Sequence, residues 1–174
     1  MTSRILYILP IDPSLPLGHA VHARSLTAAL ERRGHLVRWL SLRAAAPLPV
    51  APPKGGWVEV ARDGLPHLRQ LTSQLEMAER ARAELRSFQP EIVLSRLEPL
   101  TFAPLLAGVA AAAPFVLECN SALGPASGAR GPKRALVDRL ERAHLARAHG
   151  VGVVTSRLRD LYLGLDPGLA DRLV

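Results

Sequence analysis

Cysteine occurs once in this 174-residue chain, at Cys119. A single cysteine excludes an internal disulfide and a zinc site built on thiolates. No catalytic signature surrounds Cys119, so it reads as a small residue at a strand end and not as a nucleophile. Aromatic residues make up only 4% of the chain. Stacking platforms for nucleic acid are therefore scarce, no recognised nucleic-acid-binding motif occurs, and no nucleic-acid partner is expected. No uninterrupted apolar stretch reaches the roughly 18 residues that a membrane span requires. The first apolar run is too short for a secretory signal and meets Pro10, Asp12 and Pro13 at once, so it reads as a first strand. Neither G-x-G-x-x-G nor G-x-x-x-x-G-K-[ST] is present, which removes support for dinucleotide binding and for a P-loop nucleotidase. There is no internal repeat and no sustained heptad.

Hydrophobic residues make up 48% and charged residues 21%, an ordinary balance for one globular domain with a substantial core. Six short apolar runs punctuate the chain, at residues 4–9, 36–42, 57–61, 91–95, 114–118 and 151–155. Segments with helical spacing lie between most of them. Alternating strands and helices predict an α/β fold, a Rossmann-like three-layer sandwich around a mainly parallel sheet. Right-handed crossovers give the expected strand order 3-2-1-4-5-6.

The first helix is expected to run about fifteen residues from Gly18, with Val21, Leu26, Ala29 and Leu30 buried. Gly18 is read as a position of unusual backbone geometry just before that helix, and Gly34 as the residue that ends it. Residues 43–56 read as a surface loop. The longest helical pattern, residues 66–88, is expected to bury Leu68, Leu71, Leu75, Ala78 and Leu85. A helix from about Pro104 to Ala112, a glycine- and proline-rich loop over 122–133, a helix over 134–149 and a short helix from Ser156 complete the pattern.

In parallel sheets of this kind, ligands sit beyond the carboxyl ends of the strands. Polar clusters fall at that edge: Ser95, Arg96 and Glu98, then Glu118, Asn120 and Ser121, then Thr155 and Ser156. An arginine offers a rigid fork for phosphate or carboxylate, while Glu and Asn can bind sugar hydroxyls. The alternative for Arg96 with Glu118 is an ion pair that merely closes the sheet. His19 and His22 lie three apart on one helix face, a spacing suited to metal or proton transfer, although no third ligand is evident and two surface histidines would show the same spacing. Neither a metal nor a cofactor is expected.

The formal net charge is +7, which points to an anionic partner such as a membrane surface or a sugar nucleotide. Arg130, Lys133, Arg134, Arg139, Arg142 and Arg147 carry much of the excess, and a solvated helix face is the plainer reading. A cytoplasmic location is expected, with contact at the inner face of a membrane left open.

Several stretches together resemble the N-terminal domain of family 4 glycosyltransferases. They are Arg4 to Leu42, with Gly18-His19 and Arg33-Gly34-His35-Leu36-Val37; Gln89-Pro90-Glu91-Ile92-Val93; Pro114 to Ser121; and Glu141-Arg142-Ala143 leading to Val153-Val154-Thr155-Ser156. The resemblance covers nearly the whole chain. It implies half of a two-domain GT-B enzyme, a retaining, hexosyltransferase-like transferase that moves a sugar from a nucleotide donor to a small-molecule, glycan or lipid-linked acceptor. It places Gly18 near the donor phosphates and Arg96, Glu118, Asn120 and Ser156 around the interdomain cleft. With His19, His22, Glu98 and Ser121, these are the candidate substrate-binding residues. Many family members have histidine where this chain has Asn120, and an amide cannot carry a proton. Family members continue past the Leu165-Asp166-Pro167 region into a donor-binding domain. The expectation is therefore a single domain over residues 1–174, inactive without a C-terminal half. The alternative is a non-catalytic binding or interaction subunit on the same fold.

Overall fold

The computed structural model describes residues 2–61, 68–122 and 130–174. Six strands form one sheet: β1 (Arg4–Leu9), β2 (Leu36–Leu42), β3 (Trp57–Val60), β4 (Ile92–Arg96), β5 (Phe115–Cys119) and β6 (Gly150–Val153). Every neighbouring pair is parallel, and the order is the predicted β3-β2-β1-β4-β5-β6. The helices are α1 (Gly18–Arg32), α2 (Arg69–Ser87), α3 (Ala103–Ala110), α4 (Gly131–Arg147) and α5 (Ser156–Leu165). A 3-10 turn over Pro167–Leu169 brings the last residues beside β6, where Val174 and Arg172 exchange backbone hydrogen bonds with Val151 and Val153. That contact covers an edge that would otherwise expose unpaired strand groups.

Alternate residues of each strand face opposite layers. Tyr7, Leu9, Val37 and Trp39 pack with Ala20 and Ala23 of α1. Leu6, Ile8, Leu40, Val93 and Leu117 pack with Met77, Ala81, Ala107, Val137 and Tyr162 from α2, α3, α4 and α5. Among the described residues, α1 thus covers one face and those four helices cover the other.

Two helical faces differ from the predicted ones. In α1 the fully buried residues are Ala20, Ala23 and Thr27, while Val21 is exposed. Small residues let the helix sit close to the sheet, and the Trp39 indole N–H donates to the Thr27 hydroxyl (2.8 Å). In α2 the buried set is Ser73, Gln74, Met77, Ala78 and Ala81, leaving Leu68, Leu71 and Leu75 exposed. Gln74 turns inward because its carbonyl oxygen accepts from the backbone N–H groups of Phe102 and Ala103, both at 3.1 Å. That satisfies donors at the start of α3 for which its own N-cap residue supplies no side chain. Helix α4 begins at Gly131, three residues before the expected start, with Pro132 in its first turn. Most of the expected 122–133 loop and the start of the 66–88 pattern lie outside the described residues.

Gly34 has φ +90° and ends α1 as predicted, with His35 N–H bonded to Leu30 O and Gly34 N–H to Glu31 O. Gly18 does not behave as expected. It is the first residue of α1 itself, its φ is not in the left-handed region, and nothing lies within 4 Å of where a Cβ would sit.

Candidate functional site

Parallel pairing sets Arg96 of β4 directly beside Glu118 of β5. Both side chains project toward the α1 layer at the carboxyl edge of the sheet. Arg96 Nη1 lies 2.7 Å from Glu118 Oε1, and its Nε lies 2.6 Å from Glu98 Oε1. The two partners of the first bond are 7% and 8% exposed. One buried arginine thus balances two carboxylates, as desolvated charges require.

Three further groups converge on Glu118. The Tyr7 hydroxyl donates to Oε2. The Asn120 amide donates to Oε1, while its own buried Oδ1 has no hydrogen-bond partner among the described residues. Nε2 of His22, on α1, stands 3.3 Å from Oε1, and that imidazole is 45% exposed. Burial, followed by the Glu118 charge, raises the Tyr7 phenol well above its usual value. The phenol therefore remains a proton donor to the carboxylate.

A cavity of about 550 Å³ adjoins this group, lined by Asp12, His19, Gln70, Gln74, Glu98 and Thr101 among others. Glu98 both lines the cavity and accepts from Arg96, and so links the cavity wall to the Glu118 group. Asp12 is buried and accepts from Ser14 N–H (2.8 Å), Ser14 Oγ (2.7 Å) and Ala45 N–H (2.9 Å). It ties the loop after β1 to the loop after β2 and so shapes one wall.

The structure therefore brings together His22, Arg96, Glu98, Glu118 and Asn120. His19 is not part of that group and lines the cavity instead. Gly18 stands exposed at the start of α1. Ser121 and Ser156 follow the adjacent strands β5 and β6 at the same sheet edge, but among the described residues neither side chain hydrogen-bonds to Glu118. The backbone carbonyl of Ser121 accepts from the Tyr162 hydroxyl (3.3 Å). Ser156 opens α5 after its cap Thr155, whose hydroxyl accepts from Leu158 N–H (3.1 Å). Tyr7 and Asp12 were not among the sequence candidates. Tyr7 stands inside an apolar run, and its one signal is a polar tip on the strand face that also carries Arg96 and Glu118.

Behind the site, Cys119 is fully buried, and burial pushes its thiol up to about 12. The Tyr162 hydroxyl donates to Glu141 (2.8 Å), joining α5 to α4. Among the described residues, no group of three or more His, Cys, Asp or Glu could hold a metal ion, and no helix is long and apolar enough to cross a membrane.

Residues 18–174 match the family model described as "Glycosyl transferase 4-like domain". No curated protein matches the chain. Among solved structures, sucrose-phosphate synthase from Thermosynechococcus elongatus is similar at 16% identity with a TM-score of 0.69, over 98% of this chain and 47% of that one. UDP-GlcNAc 2-epimerase from Methanocaldococcus jannaschii is similar at 14% identity and TM-score 0.63, over 98% and 44%. A glycosyltransferase from Rickettsia africae ESF-5 is similar at 16% and 0.61, over 99% and 42%. The chain spans less than half the length of each. At such identities the likeness is one of fold, and function must be argued from the site.

Proposed function

Because this chain belongs to the glycosyl transferase 4-like domain family, we propose that it forms the acceptor-side half of an enzyme moving a sugar from a nucleotide donor to an acceptor. The observation that carries this reading is the link that Glu98 makes between the cavity wall and the Glu118 group. A hydroxylated ligand entering the cavity would meet amide, hydroxyl and imidazole groups on one side and apolar residues from the β1 loop on the other. The donor would lie between this edge and a second domain, whether on the same polypeptide or another. The acceptor is a small molecule, a glycan or a lipid-linked sugar.

Catalysis would come from alignment of donor and acceptor and from stabilisation of the departing diphosphate, without a protein nucleophile. The transfer is read as retaining and hexosyltransferase-like, on the strength of the family resemblance. The exposed cations Arg130, Lys133, Arg139 and Arg142 on and beside α4 would suit a peripheral contact with an anionic membrane face, on its cytoplasmic side.

The test is nucleotide-sugar binding by calorimetry, first with this chain alone and then with a donor-binding half supplied. The expected result is weak or undetectable binding alone, with sugar transfer on completion. Tight binding of a nucleotide by the isolated chain, with no transfer on completion, would favour a non-catalytic binding subunit instead.

A further inference from the structure

We infer that Glu98 is the specificity-determining residue for the acceptor: its unengaged carboxylate oxygen takes hydroxyl donors from a neutral sugar ring or polyol, and its charge turns away acceptors that are anionic where they enter the cavity. This rests on the reading of the chain as the acceptor-side half of a sugar transferase.

Glu98 is both fixed and available. Its side chain is 25% exposed and lines the cavity. Oε1 lies 2.6 Å from Nε of Arg96, which is itself buried, so the carboxylate is held in one orientation. Among the described residues no hydrogen bond reaches Oε2, which leaves that oxygen for a ligand. A carboxylate already held in place accepts from a hydroxyl without losing further side-chain freedom. Asp12, from the loop after β1, cannot serve in this way. Both of its oxygens are spent on Ser14 and Ala45.

The loop that carries Glu98 is locked in an unfavourable conformation. Leu100 has φ +56°, a left-handed position that a bulky residue avoids. Gln70 Nε2 donates to the carbonyls of Pro99 (3.3 Å) and Leu100 (3.4 Å). The Thr101 hydroxyl donates to the carbonyl of Glu98 (2.7 Å), and Gln74 accepts from Phe102 and Ala103. Strain of this kind persists where surrounding contacts over-determine it, and it gathers at ligand clamps. Gln70 and Gln74 also line the cavity, so α2 sets the loop at the wall that a ligand touches.

Charge decides the class of ligand. Glu98 and Asp12 place two carboxylates in the cavity wall. Arg96 is shared between Glu98 and Glu118, and Arg69, which also lines the cavity, already has an interaction of its own. A phosphate or carboxylate on the ligand would therefore face like charge, whereas a neutral hydroxyl donates to Oε2.

The test assays the chain with its donor-binding half at about pH 8, where an ordinary imidazole is uncharged. Donors are UDP-glucose, UDP-N-acetylglucosamine and GDP-mannose. Acceptors are the methyl glycosides of glucose, galactose and mannose, each paired with its own 6-phosphate. The wild type should use its best neutral acceptor with kcat/KM at least about tenfold above that of the phosphorylated partner. Glu98→Gln should bring the two within about threefold, chiefly by lowering KM for the phosphate. A merely structural role for Glu98 would depress both acceptors alike and leave their ratio unchanged, so a variant that keeps the wild-type ratio overturns the proposal. A smaller or reversed preference in the wild type overturns it too, whether or not the variant folds, while the transferase reading stands. A wild type that transfers no sugar from any donor to any acceptor overturns that reading, and the proposal with it.

Discussion

The Tyr7 hydroxyl donates to the Glu118 carboxylate across 111 residues of chain. Tyr7 sits on β1 and Glu118 on β5, with β4 between them, so the bond spans a strand and locks the middle of the sheet at its carboxyl edge. It occupies one carboxylate oxygen and leaves the other to Arg96, Asn120 and His22. A neutral phenol is required for this, and burial keeps it neutral by raising its pKa.

Tyr7→Phe should therefore lower unfolding stability by about 1.5–3 kcal/mol, the usual worth of a hydrogen bond to a charged group. Arg96→Met should cost more, about 3–5 kcal/mol, because it strands Glu118 as an uncompensated buried charge. Adding Glu118→Leu to Arg96→Met should recover much of that loss. Urea denaturation of the three variants checks the order. A double variant no more stable than Arg96→Met would mean that the ion pair is not the source of the cost.

Most of the architecture was legible because each strand is a short apolar run bounded by prolines, glycines or polar residues, and because crossover handedness leaves one sensible order. Arg96 and Glu118 were legible for a related reason, as charged residues ending buried strands. Helix rotation was harder to read. Leu68, Leu71 and Leu75 have the spacing of a buried stripe, yet Gln74 faces inward to serve the start of α3, a demand set by a segment almost thirty residues away. The pairing of His22 with Glu118 depends on the rotation of α1, which small residues set by close approach to the sheet. Tyr7 was hidden because a tyrosine in an apolar run looks like packing until its neighbour across the sheet is known.

Two glycines should respond oppositely to alanine. A Cβ at Gly55 would lie 2.4 Å from the backbone carbonyl oxygen of Val37, and backbone cannot swing away as a flexible side chain can. Gly55→Ala should cost about 1–3 kcal/mol, as overpacking does. Gly164 lies within α5 with nothing inside 4 Å of its missing Cβ. Gly164→Ala should gain up to about 1 kcal/mol through helix propensity. Thermal denaturation of both variants tests the contrast, and a stabilised Gly55→Ala would mean that the loop after β2 shifts without cost.

Cys119 should resist alkylation in the folded protein. Its thiol is fully buried and pushed up to about 12, so at about pH 8 almost none is thiolate, the reactive form. Iodoacetamide should label the protein slowly in buffer and rapidly in urea. Rapid labelling without denaturant would show that β5 opens at its carboxyl end far more often than its packing implies.

Stability should fall on mild acidification, in part because of His144. Its side chain is buried in the interior of α4's contact with the sheet layer, and its Nε2 has no partner among the described residues. Nδ1 is 2.7 Å from the Leu140 carbonyl of the same helix. Burial lowers the pKa below the ordinary 6.5, with the Leu140 contact opposing weakly. Between the lowered folded value and the ordinary unfolded one, the unfolded chain binds more protons. Linkage then requires that stability be held above about 6.5, decline as pH falls below it, and level off once the folded histidine also protonates. His144→Leu removes the titrating group while costing no hydrogen bond between elements, so its stability should decline less over the same range. Urea midpoints for both proteins at about pH 7.5, 6.5 and 5.5 provide the comparison. Equal declines would assign the acid sensitivity to other groups and leave His144 as a neutral packing residue throughout.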